Sequence, residues 1–295
     1  MTTAVPARPM DPESRSWVLG LASTGPERDA AVVRLHGLLL RLTTAEVRRR
    51  SARFRLFGPE VDDLAHQAAA DATLAVCARI GSFRGESRFT TWACTFAIFE
   101  VSSKLGRHFW RNAGPDQPDW DALPARSGEG PVAAAENVEL LDALRQGIEQ
   151  VLTDRQRRIF VALALNAIPL DAVVAQYDTN RNAVYKTMFD ARRKLRAHLV
   201  AGGFLDREQR PGSGPTNAPV RVRIPGGSLD LAQFLSTDPR DVGCDRALQV
   251  LHLYAELIST GAGAAERYPG VAAHFRACGP CGDDYQALLG VIGAD

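Results

Sequence analysis

"TNRNAVYKTMFDARRKLRAHL", residues 179–199, is the stretch that decides how this chain folds. Val184, Met188, Ala191, Leu195 and Leu199 recur at steps of three or four, the spacing of one face of an α-helix. Rotated away from them lie Arg181, Asn182, Tyr185, Lys186, Phe189, Arg192 and Arg193. Just upstream, Thr153 followed three residues later by Gln156 reads as a capping box opening a helix. Pro169 suits the first turn of a short helix over Leu170–Tyr177, and "DTNRN" turns the chain into the basic helix. Helix, tight turn and basic helix make the pattern of a helix-turn-helix. Such a helix presents its N-terminal residues to base edges in the major groove and its later cations to phosphates. Arg181, Asn182, Tyr185, Lys186, Arg192 and Arg193 are therefore the candidate duplex contacts. The plainer reading is a solvated basic face on a bundle helix.

Working outward, two segments read as linkers. Residues 112–137 hold four prolines, three glycines and five acids against a single Arg126, and residues 202–228 hold six glycines and four prolines. Apolar spacing is helical on both sides of each, with no useful run of strand period and no internal repeat, so the expected class is all-α. The expected organisation is a helical block over residues 1–111, an acidic linker over 112–137 and a helix-turn-helix block over 138–203. A flexible linker over 204–228 and a small helical block over 229–295 follow.

The formal charge of +1 conceals an asymmetry. Residues 179–200 carry six Lys/Arg against one acid, whereas residues 226–295 carry four Arg against nine acids. A basic helix and an acidic tail in one chain suggest a polyanion partner and a segment that competes for the same surface. No apolar run approaches the roughly 20 residues that cross a bilayer, and "MTTAVPARPMDPESRSW" has no signal-peptide core. The reading is cytoplasmic, with no membrane partner.

In the first block, Asp62, Asp63 and Gln67 put acidic and polar groups on one helical face, suited to a basic protein partner. "SFRGESRFTTW", residues 82–92, interleaves Phe83, Phe89 and Trp92 with Arg84 and Arg88, and Lys104, Arg107 and Arg111 follow. Aromatics among cations suit single-stranded nucleic acid, although core packing is the alternative for each ring. On these residues, 62–111 resembles region 2 of the extracytoplasmic-function sigma factors of bacterial RNA polymerase. Residues 138–200, entered through "LTDRQRRIF", resemble their region 4. The resemblance implies a partner in RNA polymerase core, bound through Asp62, Asp63 and Gln67. It also implies promoter DNA opened by the segment with Arg84, Arg88, Trp92, Lys104 and Arg107 and read by the basic helix. It implies no catalysis by the chain itself. The acids of the first linker (Asp116, Asp119, Asp121 and Glu129) fit a segment that threads the polymerase channel. Phe99, Thr187 and Asp190 depart from the family's usual residues, so no promoter sequence is implied.

"HFRACGPC", residues 274–281, completes the inventory. His274 and Cys278 share a helical face, and Gly279-Pro280 brings Cys281 round. Cys244 is the best fourth ligand for one zinc ion and His252 the reserve, while Cys77 and Cys94 read as buried small hydrophobes. The spacing C-x29-H-x3-C-x2-C resembles the zinc-binding anti-sigma domain, which implies an intramolecular contact between this tail and the blocks before it. Two other classes stay open: a one-component helix-turn-helix regulator with a metal- or redox-sensing tail, and a thiol oxidoreductase using Cys278 and Cys281. The second lacks the strand-helix-strand pattern that usually surrounds a redox C-x-x-C.

Overall fold

The computed structural model describes residues 10–112, 131–166, 168–205, 221–224 and 227–292. Four helices build the first block: α1 (Pro12–Ala22), α2 (Pro26–Arg50), α3 (Glu60–Arg79) and α4 (Phe89–Asn112). Their apolar faces close on Leu35, Leu39, Ala72, Val76, Ala93, Ala97 and Ile98. The aromatic residues of "SFRGESRFTTW" join this core rather than lining a surface. Trp17 stacks on Phe89 at 5.3 Å between centroids, and Phe83 lies 5.3 Å from Trp92. Ser14 Oγ accepts the Phe89 backbone N–H at 2.8 Å, tying α1 to the head of α4.

The second block holds α5 (Pro131–Gln150), α6 (Asp154–Phe160), α7 (Leu170–Gln176) and α8 (Arg181–Ala201). The helix α5 starts inside the segment expected as linker, since 131–137 already belong to it; Asp116, Asp119, Asp121 and Glu129 lie outside the described residues. Thr153 and Gln156 form the capping box, and α6 runs on through a π-helical turn, Val161–Leu165. All five stripe residues of α8 are buried, as their spacing requires. The first two blocks meet where α4 crosses α7. There Gly106 is obligatory, because a Cβ would lie 2.4 Å from the Asp171 carbonyl oxygen.

The tail brings a correction to the strand-free reading. Residues Arg221–Ile224 (β1) and Gly227–Asp230 (β2) pair antiparallel, Arg221 opposite Asp230 and Ile224 opposite Gly227. Each strand is four residues long, too short to stand out among the surrounding prolines and glycines. The hairpin leads into α9 (Leu231–Phe234), whose Leu231 and Phe234, with Leu235, enter the core of the second block. Five further helices follow: α10 (Gly243–Gln249), α11 (Leu251–Ser259), α12 (Ala264–Arg267), α13 (Pro269–Ala277) and α14 (Gly279–Ile292). Leu251 and Ala255 of α11, with Leu288 and Ile292 of α14, share one core with α4. Each fully buried leucine contributes roughly 1.5–3 kcal/mol, so the tail is packed against the first block rather than merely tethered. Apart from the hairpin, the regular elements among the described residues are helices. No helix among them is long and apolar enough to cross a membrane.

Candidate functional site

Three helices deliver four ligand groups to one point. Cys244 sits in the first turn of α10 and His274 near the end of α13. Cys278 caps α13 in extended backbone, and Cys281 lies in the first turn of α14. The break between α13 and α14 is what turns the second thiol of C-x-x-C back towards the first. All four are buried, with their ligand atoms within 4.8 Å of one another. The Cys244 and Cys278 sulfurs are 3.9 Å apart. Metal–sulfur bonds of about 2.3 Å in a tetrahedron put sulfurs about 3.8 Å apart, so the cluster has the dimensions of a metal site.

His274 supports the same conclusion. Its Nδ1 pairs with Asp241 Oδ1 at 2.8 Å, which leaves Nε2 facing the sulfurs, buried and without a hydrogen-bond partner. A carboxylate behind a histidine is how metal-ligating imidazoles are oriented. Hydrogen bonds from Cys244 and Cys281 outweigh burial and hold the Cys278 thiol well below the ordinary range, so it ionises most readily. The buried Cys3His cluster could hold a metal ion, as the spacing predicts. The reserve ligand His252 lies outside it.

Burial pushes His252 down to about 4 against the pull of Glu256, so the folded chain keeps it neutral. The unfolded chain protonates it near 6.5, so its contribution is intact above that pH and lost as pH falls towards 4. Between pH 7 and pH 5 the loss is about 2 kcal/mol. In urea melts, His252→Gln should flatten the pH dependence by that amount; equal slopes in both proteins would contradict this.

The Cys3His cluster packs directly on α8. Tyr185, Cys244, Cys278 and Cys281 form one buried cluster, flanked by Phe189 and Phe275. The Tyr185 ring meets His274 edge-on at 4.6 Å, and its hydroxyl donates to the free oxygen of Asp241. Burial, then that hydrogen bond, pushes the phenol far up, so it keeps its proton. Asn182 Nδ2 donates to Asp245 at 2.7 Å. Gly243, at φ +75°, lies so close to Asn182 that a Cβ would stand 2.6 Å from Oδ1. Arg192 is carried over the Phe234 ring at 4.7 Å.

The remaining contact joins all three blocks. Asp284, fully buried on α14, accepts from Arg50 at 3.0 Å, from Ser102 at 3.1 Å and from Arg181. Arg181 also forks onto Asp171, at 2.6 and 3.0 Å. Two carboxylates thus share Arg181. Burial raises Asp171, whereas at Asp284 the charges of Arg181 and Arg50 outweigh burial and hold it low. Next to it, Asp283 pairs with Arg53 at 2.6 Å.

Of the predicted contact residues, then, Arg181, Asn182, Tyr185 and Arg192 are engaged within the chain, while Lys186 and Arg193 stay exposed. In the first block Trp92, at 8% exposure, is a core residue packed among Phe83, Phe89 and Phe96. Arg84 and Arg107 are exposed, the latter donating to Ser103, and Lys104 pairs with Asp71. Arg88 pairs with Glu256 of α11 at 3.2 Å, and the same carboxylate oxygen accepts from Thr91 at 2.6 Å. Asp62, Asp63 and Gln67 share an exposed face of α3, where Arg48 reaches Asp62 at 3.1 Å. Sequence reading missed Asp241, Glu256 and Asp284 as individuals. Its only trace of them was the acidic balance of the tail.

Compared with protein-family models, curated proteins and solved structures, the chain matches none.

Proposed function

We propose that this chain is a transcription-initiation factor of the sigma type, which recruits RNA polymerase core to promoters and carries a zinc-binding regulatory block at its C-terminal end. The observation that carries the reading is the outward face of α8. It follows a helix and a tight turn, is set opposite a fully buried apolar stripe, and carries the exposed Lys186 and Arg193 where a recognition helix would meet DNA. In this reading Asn182 and Lys186 face base edges, and Arg192 and Arg193 face phosphates. The exposed Asp62, Asp63 and Gln67 offer core polymerase an acidic docking face on α3. The exposed Arg84 and Arg107 serve the opened strand by charge, and Trp92 supports that segment from beneath.

Zinc is the metal that suits the centre. Three thiolates and one imidazole in a closed, buried tetrahedron are the donor set of structural zinc sites. Cys244, His274, Cys278 and Cys281 would hold the ion, and its part would be to lock α10, α13 and α14 together. The proposed setting is the cytoplasm, where such thiols stay reduced.

The test is a pull-down with purified core polymerase. The full chain should bind it. Asp62→Arg with Asp63→Arg should bind at least about tenfold more weakly, since two acids become cations against a basic partner. A folded double variant that binds like the wild type would remove this face from the interface, and a wild type that ignores core would remove the sigma reading.

A further inference from the structure

Resting on the reading of α8 as the DNA-contacting helix, we infer that the C-terminal block is an intramolecular competitor of DNA, whose carboxylates occupy the α8 groups that a DNA site would use. The competition is visible atom by atom. The head of a recognition helix meets base edges and the backbone through its first polar residues. Here Arg181 is taken by Asp284, Asn182 by Asp245 and Tyr185 by Asp241. Three acids drawn from α10, α14 and the turn before α10 fall on three successive outward positions of α8. That distribution follows the helix face rather than any single loop, and it matches the sign of a phosphate backbone.

The block cannot be satisfied there by charge alone. Its own core is continuous with α4 through Leu251 and Leu288, and Glu256 and Asp283 fix it to Arg88 and Arg53. The competitor is therefore held in place by the first block while it covers the second. Because it belongs to the same chain, its effective concentration is roughly millimolar. DNA binds only the fraction of molecules in which α8 is free, so apparent affinity scales with that fraction. The closed chain is thus the weak DNA binder, and opening it is activating. Lys186 and Arg193 remain exposed in the closed form and supply its residual attraction for DNA.

The experiment measures binding of the full chain to a fluorescent duplex of arbitrary sequence at low salt, where phosphate contacts dominate. Hydrogen exchange across residues 181–192 is followed in parallel. Two variants release the face by different routes: Asp245→Ala with Glu256→Ala, at the rim, and Asp284→Asn, at the centre. Both should lose exchange protection on α8 and bind the duplex at least about tenfold more tightly than the wild type. Adding Arg192→Ala with Arg193→Ala to either should abolish the gain, which places the DNA on α8. If the wild type binds as tightly as the variants while α8 stays protected, DNA uses another surface and the competition is wrong. If both variants leave exchange and affinity unchanged, the acids do not hold the face and the competition is equally wrong. Loss of protection without gain in affinity overturns the DNA-contacting role of α8 itself, and the competition falls with it.

Discussion

Cys278→Ser should purify without zinc, whereas the wild type should hold one ion per chain, and the variant should lose protection from proteolysis across residues 236–292. This is the largest effect expected of any single substitution. Structural zinc sites in small peptides contribute about 10–16 kcal/mol of binding energy that is also folding energy, against a total stability of about 5–15 kcal/mol for a whole domain. The centre joins α10, α13 and α14 at their ends, where short helices of 7 and 9 residues have little intrinsic stability. The contacts of α11 and α14 with α4 limit the damage, so the first block should stay folded. Metal analysis and limited proteolysis read both consequences. Stoichiometric zinc in the variant would mean that Cys278 is not a ligand.

Asp284→Ala is the second. Removing one member of a buried ion pair costs about 3–5 kcal/mol, because the partner is left charged and unpaired. Here Arg50, Arg181 and Ser102 each lose an acceptor. Arg181 keeps Asp171 and Arg50 keeps Glu46 at 3.0 Å, so the loss falls at the low end of that range. The penalty is carried by the closed arrangement alone. Chemical denaturation should therefore split into two transitions, the first being release of the tail. A single transition shifted by less than about 1 kcal/mol, the scale of an exposed pair, would show that Asp284 is not the junction between the blocks.

The helices were legible in the sequence because apolar residues at steps of three or four have few other uses. The stripe of α8 and the capping box of α6 stand where their residues place them. The Cys3His cluster was legible for a different reason: His274, Cys278 and Cys281 stand at ligand spacing, and Cys244 was the cysteine outside the first block left to join them. Trp92 was not, since an aromatic residue among arginines looks the same whether a base or a neighbouring helix covers it. Only the packing of Phe83, Phe89 and Phe96 around its ring decides that. The hairpin β1–β2 was too short for its alternation to carry a signal. Asp284 was invisible for a more general reason. Its partners Arg50 and Arg181 lie 234 and 103 residues away, and no local pattern encodes a contact at that distance. Charge summed over segments gave the sign of the interaction between tail and α8 but not its residues.

The most direct test is transcription by the host's purified core polymerase on host genomic DNA, with the 5′ ends of the transcripts sequenced. Core alone, core with the wild-type chain, and core with the Asp284→Asn chain are compared. Both chains should add start sites sharing an upstream motif absent with core alone, and Asp284→Asn should give the larger yield at equal core occupancy. No added start sites with either folded chain would contradict the sigma reading.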